Sequence, residues 1–132
     1  MEHLCKYVLW SLVFFAGLSA CARVPMFARA LTYEGGVSLA EAVGGADAEL
    51  LARFGVTHGI SSDTIRSTQV VLNSPVFDGW PPRGFTWQRT VHLHPIVSTL
   101  PRCERLSVIL HELVHRAQWD RGDLTAASYA GE

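Results

Sequence analysis

The feature that most constrains this chain is the stretch 102–121, twenty residues without a glycine or a proline. Apolar residues recur in it every three or four positions and therefore fall on one side of an α-helix. Ser98 or Thr99 can cap this helix, Pro101 fits its first turn, and Gly122 is a natural C-terminal stop. The sequence thus predicts one long amphipathic helix, whose apolar side is formed by Leu106, Ile109, Leu110, Leu113, Val114 and Ala117.

Helical signals also occur earlier in the chain. Ser38 stands three residues before Glu41, a capping-box spacing that predicts a helix starting near Leu39. The pair Gly44-Gly45 should interrupt this helix, and a helical apolar pattern then resumes and stops at Gly55. Two short helices or one kinked helix fit this pattern equally well.

Two stretches have the composition of β-strands. The segment 67–72 is rich in valine and ends at a turn, and the segment 89–95 alternates apolar and polar residues. Between them, the segment 77–87 contains a Trp-Pro-Pro run and two glycines, which predicts an irregular surface loop. This order of elements predicts an α+β fold in which the long helix packs on a short sheet of two or three strands.

The N-terminus has the pattern of a signal peptide. Lys6 is followed by the apolar run 7–17, whose eleven residues are too few to span a bilayer. The sequence Leu-Ser-Ala-Cys that ends at Cys21 resembles the lipobox of bacterial lipoprotein precursors. The resemblance implies a mature chain that starts at lipidated Cys21, although an ordinary signal peptide cut nearby or an uncleaved anchor also fits.

This interpretation divides the chain into a signal peptide at 1–20, a lipidated cysteine and tether at 21–37, and one small domain at 38–132. It predicts export and attachment to the cell envelope. By resemblance to lipoproteins in general, Ala22 rather than aspartate after the cysteine implies the outer membrane if the organism is diderm. It also predicts that no disulfide forms, because Cys5 is discarded and Cys21 carries the lipid. A net charge of −1, spread along the chain, gives no basic surface for nucleic acid.

The long helix contains the run Ile-Leu-His-Glu-Leu-Val-His, from Ile109 to His115. Residues four apart lie on one face of a helix, so His111 and His115 can direct their imidazoles at a single ion. Neutral imidazole is a good zinc ligand, and Glu112, one position around the helix, can act as a general base. The spacing predicts a metal site on this helix, although two structural histidines would give the same pattern.

The run 110–119, Leu-His-Glu-Leu-Val-His-Arg-Ala-Gln-Trp, resembles the active-site helix of the zincin metallopeptidases. It looks in particular like small bacterial gluzincin-like domains with a His-Glu-Leu-x-His-x-x-Gln core, and the similarity extends loosely to the segment 84–94. The resemblance implies one Zn²⁺ ion, with a zinc-activated water that attacks a peptide carbonyl while Glu112 acts as general base. Arg116 departs from the family pattern, which usually has an uncharged residue there.

The resemblance also implies a third protein ligand downstream of the second histidine. In gluzincins this ligand is a glutamate on the following helix, and Glu132 is the candidate here because it is the only downstream glutamate. Asp120, Asp123, His92 and His94 remain alternative ligands.

Further residues are candidates for binding an extended peptide. In zincins such a peptide pairs with an edge strand, and the segment 89–95 is the candidate because Pro95 lacks an amide donor. His92 and His94 on this strand, and Tyr129 near the C-terminus, could contact the substrate, although ordinary structural roles would explain them as well.

The sequence as a whole predicts a zinc-dependent peptidase at the bacterial cell envelope, with a peptide or protein substrate and a membrane anchor on Cys21. The alternative is a catalytically inactive metal-binding lipoprotein that serves as an interaction module. A third hypothesis is a structural lipoprotein that binds no metal.

Overall fold

The computed structural model of this chain describes residues 35–77 and 83–124. Its sheet has four strands in the order β1-β2-β4-β3, in which β2 and β4 are parallel and the other neighbours antiparallel. The strands are β1 (Val37–Ser38), β2 (Gln69–Val71), β3 (Gly84–Trp87) and β4 (Thr90–Leu93). The predicted α+β class is confirmed, but the sheet has four strands rather than two or three.

Four α-helices accompany the sheet in the described part of the chain: α1 (Leu39–Val43), α2 (Gly45–Thr57), α3 (Ser62–Ser67) and α4 (Arg102–Arg121). The capping box of α1 is confirmed, because the Ser38 hydroxyl accepts from the Glu41 amide while the Glu41 carboxylate accepts from the Ser38 amide. Gly44 separates α1 from α2 at a φ of 90°, so the chain forms two helices here rather than one kinked helix. None of the described helices is both long enough and apolar enough to cross a membrane.

Helix α4 has the predicted length but starts differently from the expectation. A 3-10 turn, Pro95–Thr99, occupies the residues predicted to cap it, and Pro101 is the residue that precedes its first turn. At the other end Gly122 adopts the left-handed conformation at a φ of 74°, as the sequence predicts for a helix stop.

Strand β3 lies in the segment predicted to be a surface loop. Phe85 in its middle is fully buried, and a two-residue turn at Gln88 and Arg89 pairs the strand with β4. The loop prediction was wrong here because it gave more weight to the Trp-Pro-Pro run than to the strand-forming residues that follow this run. Because β3 pairs with β4 on its outer side, β3 is an outer strand of the described sheet. Strand β4, which was predicted to lie at an edge, is an inner strand.

Helix α4 packs its apolar side against the sheet and α2. The resulting core includes Leu51, Val70, Val91, Leu106, Ile109 and Leu113. A second, smaller cluster contains Val76, Phe77, Phe85 and Leu124. These contacts fix α4, which carries the His-Glu-x-x-His segment, against β3 and β4.

Candidate metal centre

The two histidines of α4 point at one another across a single helical turn. Their Nε2 atoms lie 3.0 Å apart, and the two rings meet edge to face. Two imidazole nitrogens bound to a tetrahedral zinc at about 2.0 Å would lie about 3.3 Å apart. The spacing of His111 and His115 therefore suits joint ligation of one ion.

A second contact orients one of these rings. His115 donates a hydrogen bond from Nδ1 to Oε1 of Gln118 over 2.8 Å. In a neutral imidazole this leaves Nε2 as the accepting nitrogen, which is the tautomer that binds a metal. Gln118, one turn after His115 on α4, thus fixes the tautomer and the ring orientation of the histidine, as hydrogen-bond partners of metal-binding histidines usually do. It is also part of the run that resembles the zincins.

Glu112 is turned toward the sheet and is 3% exposed. Its Oε2 accepts a hydrogen bond of 2.5 Å from the hydroxyl of Thr86 on β3. A bond this short is typical of a hydroxyl that donates to a carboxylate. The carboxyl group therefore lies in a buried position between α4 and β3, one residue around the helix from the histidine pair.

Among residues 35–77 and 83–124, no third histidine, cysteine, aspartate or glutamate joins the pair to form a metal-binding group. Asp120 accepts from Arg116 and from Thr64, and Asp123 accepts from Arg121. These ion pairs occupy the carboxylates of both alternative aspartate ligands. Glu132, the predicted third ligand, lies outside the described residues, as does Tyr129.

His92 and His94, which were predicted to lie on one strand face, do not share an exposed face. His92 is 1% exposed, and its Nδ1 is hydrogen-bonded to the Ser74 hydroxyl at 2.9 Å. Burial lowers the pKa of His92 to about 4, so the ring is neutral at physiological pH. This burial does not fit the predicted contact with a substrate, which assumed an edge strand.

His94 follows β4 rather than lying in it. It is half-buried, its Nδ1 accepts from the amide of Ile96, and its ring contacts Phe77. The residue therefore caps the 3-10 turn that leads to α4, which is a structural role.

Arg116 departs from the zincin pattern, and the structure gives a physical reason for a charged residue at this position. The side chain is 2% exposed and points away from solvent, where it pairs with Asp120 and reaches the Ser67 hydroxyl at 3.3 Å. Burial opposes ionisation of Asp120, but hydrogen bonds from Arg116 and Thr64 lower the pKa of this carboxyl below its usual value. Arg116 thus joins α4 to α3 and lies next to the site without entering it.

Cys103, in the first turn of α4, is disulfide-bonded. The prediction that no disulfide forms is therefore wrong. The other two cysteines of the sequence, Cys5 and Cys21, lie outside the described residues. A Cys21 that carries a lipid thioether cannot be the partner, because its sulfur has no valence left for a disulfide. The disulfide therefore belongs to the unprocessed chain, whereas the predicted lipid on Cys21 and loss of Cys5 belong to a processed form in which this disulfide is absent.

These observations define the protein as an α+β domain with a paired-histidine site on its long helix. A scan against protein-family models, a search of curated proteins and a search of solved structures found no match to this chain.

Proposed function

We propose that this chain is a zinc-dependent peptidase of the bacterial cell envelope, anchored through a lipid on Cys21. The observation that carries the proposal is the convergence of the His111 and His115 Nε2 atoms, 3.0 Å apart, on the helix that also places Glu112 at the sheet. Glu132 is the proposed third ligand. The resemblance of the motif to the zincins supports the choice of zinc and of peptide hydrolysis.

A zinc ion at this site would supply a Lewis acid and a nucleophilic water at neutral pH. Glu112 takes the proton of the attacking water and passes it to the leaving amine nitrogen. Gln118 keeps His115 in the tautomer that ligates through Nε2. An extended peptide pairs with β3, an outer strand of the described sheet, rather than with β4 as the sequence suggested.

The zinc content of the purified full chain tests the metal site. We expect about one equivalent of zinc and, in His111→Gln, less than half an equivalent, because the change removes one of the imidazole ligands. His58→Gln is the matched control, since His58 ends α2 and is exposed. Zinc that stays below half an equivalent in the unmodified chain and is not regained on titration would instead support a structural lipoprotein.

The second measurement is hydrolysis of a mixed set of quenched fluorescent peptides. We expect Glu112→Gln to retain zinc but to lose turnover by about 10²-fold or more, because the amide cannot accept the proton of the water. Glu104→Gln, the same change on the same helix, should leave turnover unchanged. Appreciable turnover in Glu112→Gln would contradict the mechanism, and a zinc-loaded chain without turnover would favour the inactive interaction module.

A further inference from the structure

We propose that Thr86 and Gly84 of β3 are positioning residues that hold the carboxylate of Glu112 in a single orientation. Their role in catalysis rests on the proposed function, but their contacts with Glu112 can be tested without a measurement of enzyme activity. The His-Glu-x-x-His run lies on the helix alone, and the resemblance to the zincins reaches the segment 84–94 only loosely. Neither residue is therefore part of the motif that identified the site.

Thr86 binds Glu112 at two points. Its hydroxyl lies 2.5 Å from Oε2 of Glu112 and 3.1 Å from the backbone oxygen of the same residue. Both neighbours are acceptors when the carboxyl is ionised, so the single hydroxyl proton is donated toward them, mainly along the shorter contact. Thr86 is itself fully buried, so solvent does not compete for this hydrogen bond.

Gly84 contacts the other side of the same carboxyl group. A Cβ atom at this position would lie 2.7 Å from both Cγ and Oε1 of Glu112, and 2.9 Å from its Cδ. The backbone of Gly84 does not have a positive φ, so the glycine is not required by the conformation of the strand. It is required by the space that the Glu112 side chain occupies.

The two contacts act together because alternate residues of a strand face the same side. Gly84 and Thr86 are two positions apart, and both face Glu112 on α4. The hydroxyl of Thr86 donates to Oε2, and Gly84 leaves room for Oε1. The strand therefore decides where both carboxylate oxygens lie, and with them the position of the proposed proton acceptor.

Double-mutant cycles on the metal-free full chain test the contacts. Thr86→Val keeps the shape of the side chain but leaves the buried carboxylate without its donor, and Gly84→Ala forces a collision with it. We expect each change to lower Tm by about 4 °C or more in the unmodified background and by clearly less in Glu112→Ala, which removes the carboxyl group. Thr68→Val and Gly55→Ala are the matched controls, because these residues are also buried but contact Thr64 and Ile65 instead. Their effects should be the same in both backgrounds.

The catalytic role is tested on the zinc-loaded full chain. We expect Thr86→Val and Gly84→Ala to lower kcat by about tenfold to a hundredfold, because a base displaced by about 1 Å transfers protons poorly. KM and zinc content should stay within about twofold of the unmodified chain, and Thr86→Ser, which keeps the hydroxyl, should restore most of kcat.

The outcomes separate this inference from the proposed function. Additive cycles would overturn the contacts whether or not the chain is a peptidase. Coupled cycles with an unchanged kcat in Thr86→Val would overturn the positioning role alone. A zinc-loaded chain that hydrolyses no peptide would overturn the proposed function and, with it, the catalytic role, while the cycles would still decide the contacts.

Discussion

The buried imidazole of His92 makes the stability of the domain depend on pH. In the folded chain burial lowers the pKa of this ring to about 4, whereas an unfolded chain would titrate it near 6.5. Between these values the unfolded state binds a proton that the folded state does not. The stabilising contribution is therefore complete above about pH 6.5 and is lost as the pH falls toward 4.

We expect the free energy of unfolding to fall by up to about 1.4 kcal/mol per pH unit within this window, about 3 kcal/mol in all. Urea denaturation between pH 7 and 5 measures the slope. His92→Gln should flatten it, because glutamine does not titrate, whereas His58→Gln should leave it unchanged. An equally steep slope in His92→Gln would show that another group causes the pH dependence.

At the scale of single elements, the stability of α4 depends on the left-handed glycine that ends it, Gly122. Gly122 and Gly45 form a matched pair at helix ends, since a Cβ would meet no atom within 4 Å at either position. They differ in the backbone: Gly122 has a φ of 74°, whereas Gly45 begins α2 with no positive φ. The same substitution therefore tests conformation alone.

We expect Gly122→Ala to destabilise the domain by about 1 kcal/mol, because alanine is strained in the left-handed region. Gly45→Ala should be neutral or stabilise by up to about 1 kcal/mol, because it reduces the freedom of the unfolded chain. Thermal unfolding of both variants checks the difference in sign. Equal shifts for the two would mean that the left-handed stop of α4 contributes nothing to stability.

At the scale of the whole molecule, the proposed lipid anchor and the disulfide of Cys103 compete for the same few sulfur atoms. We expect mass spectrometry of the membrane-extracted protein to find an N-terminal peptide with a lipid on Cys21. The Cys21→Ser variant should no longer be found in the membrane fraction. Cys5→Ser should change neither result, because Cys5 lies in the proposed signal peptide. A disulfide between Cys21 and Cys103 in the mature protein would exclude the lipid anchor.

The sequence alone was sufficient for features that depend on neighbours along the chain. The length and glycine stop of α4, the capping box at Ser38, and the placement of His111 and His115 on one helix face all follow from local spacing. Local chemistry decides these features, because helix hydrogen bonds and caps join residues three or four positions apart.

Contacts between distant residues were decided only by the tertiary structure. Pairing across the sheet made β3 an outer strand and β4 an inner one, and it buried His92. The alternation of segment 89–95 could not predict this, because it would be the same in an edge strand as in an inner strand. Packing of α4 on β3 brought Thr86 and Gly84 to Glu112 across 26 and 28 positions of the chain. The proposed ligands could be read from a helical period, but the strand residues that contact Glu112 could not, because no local pattern links a strand residue to the helix it will meet.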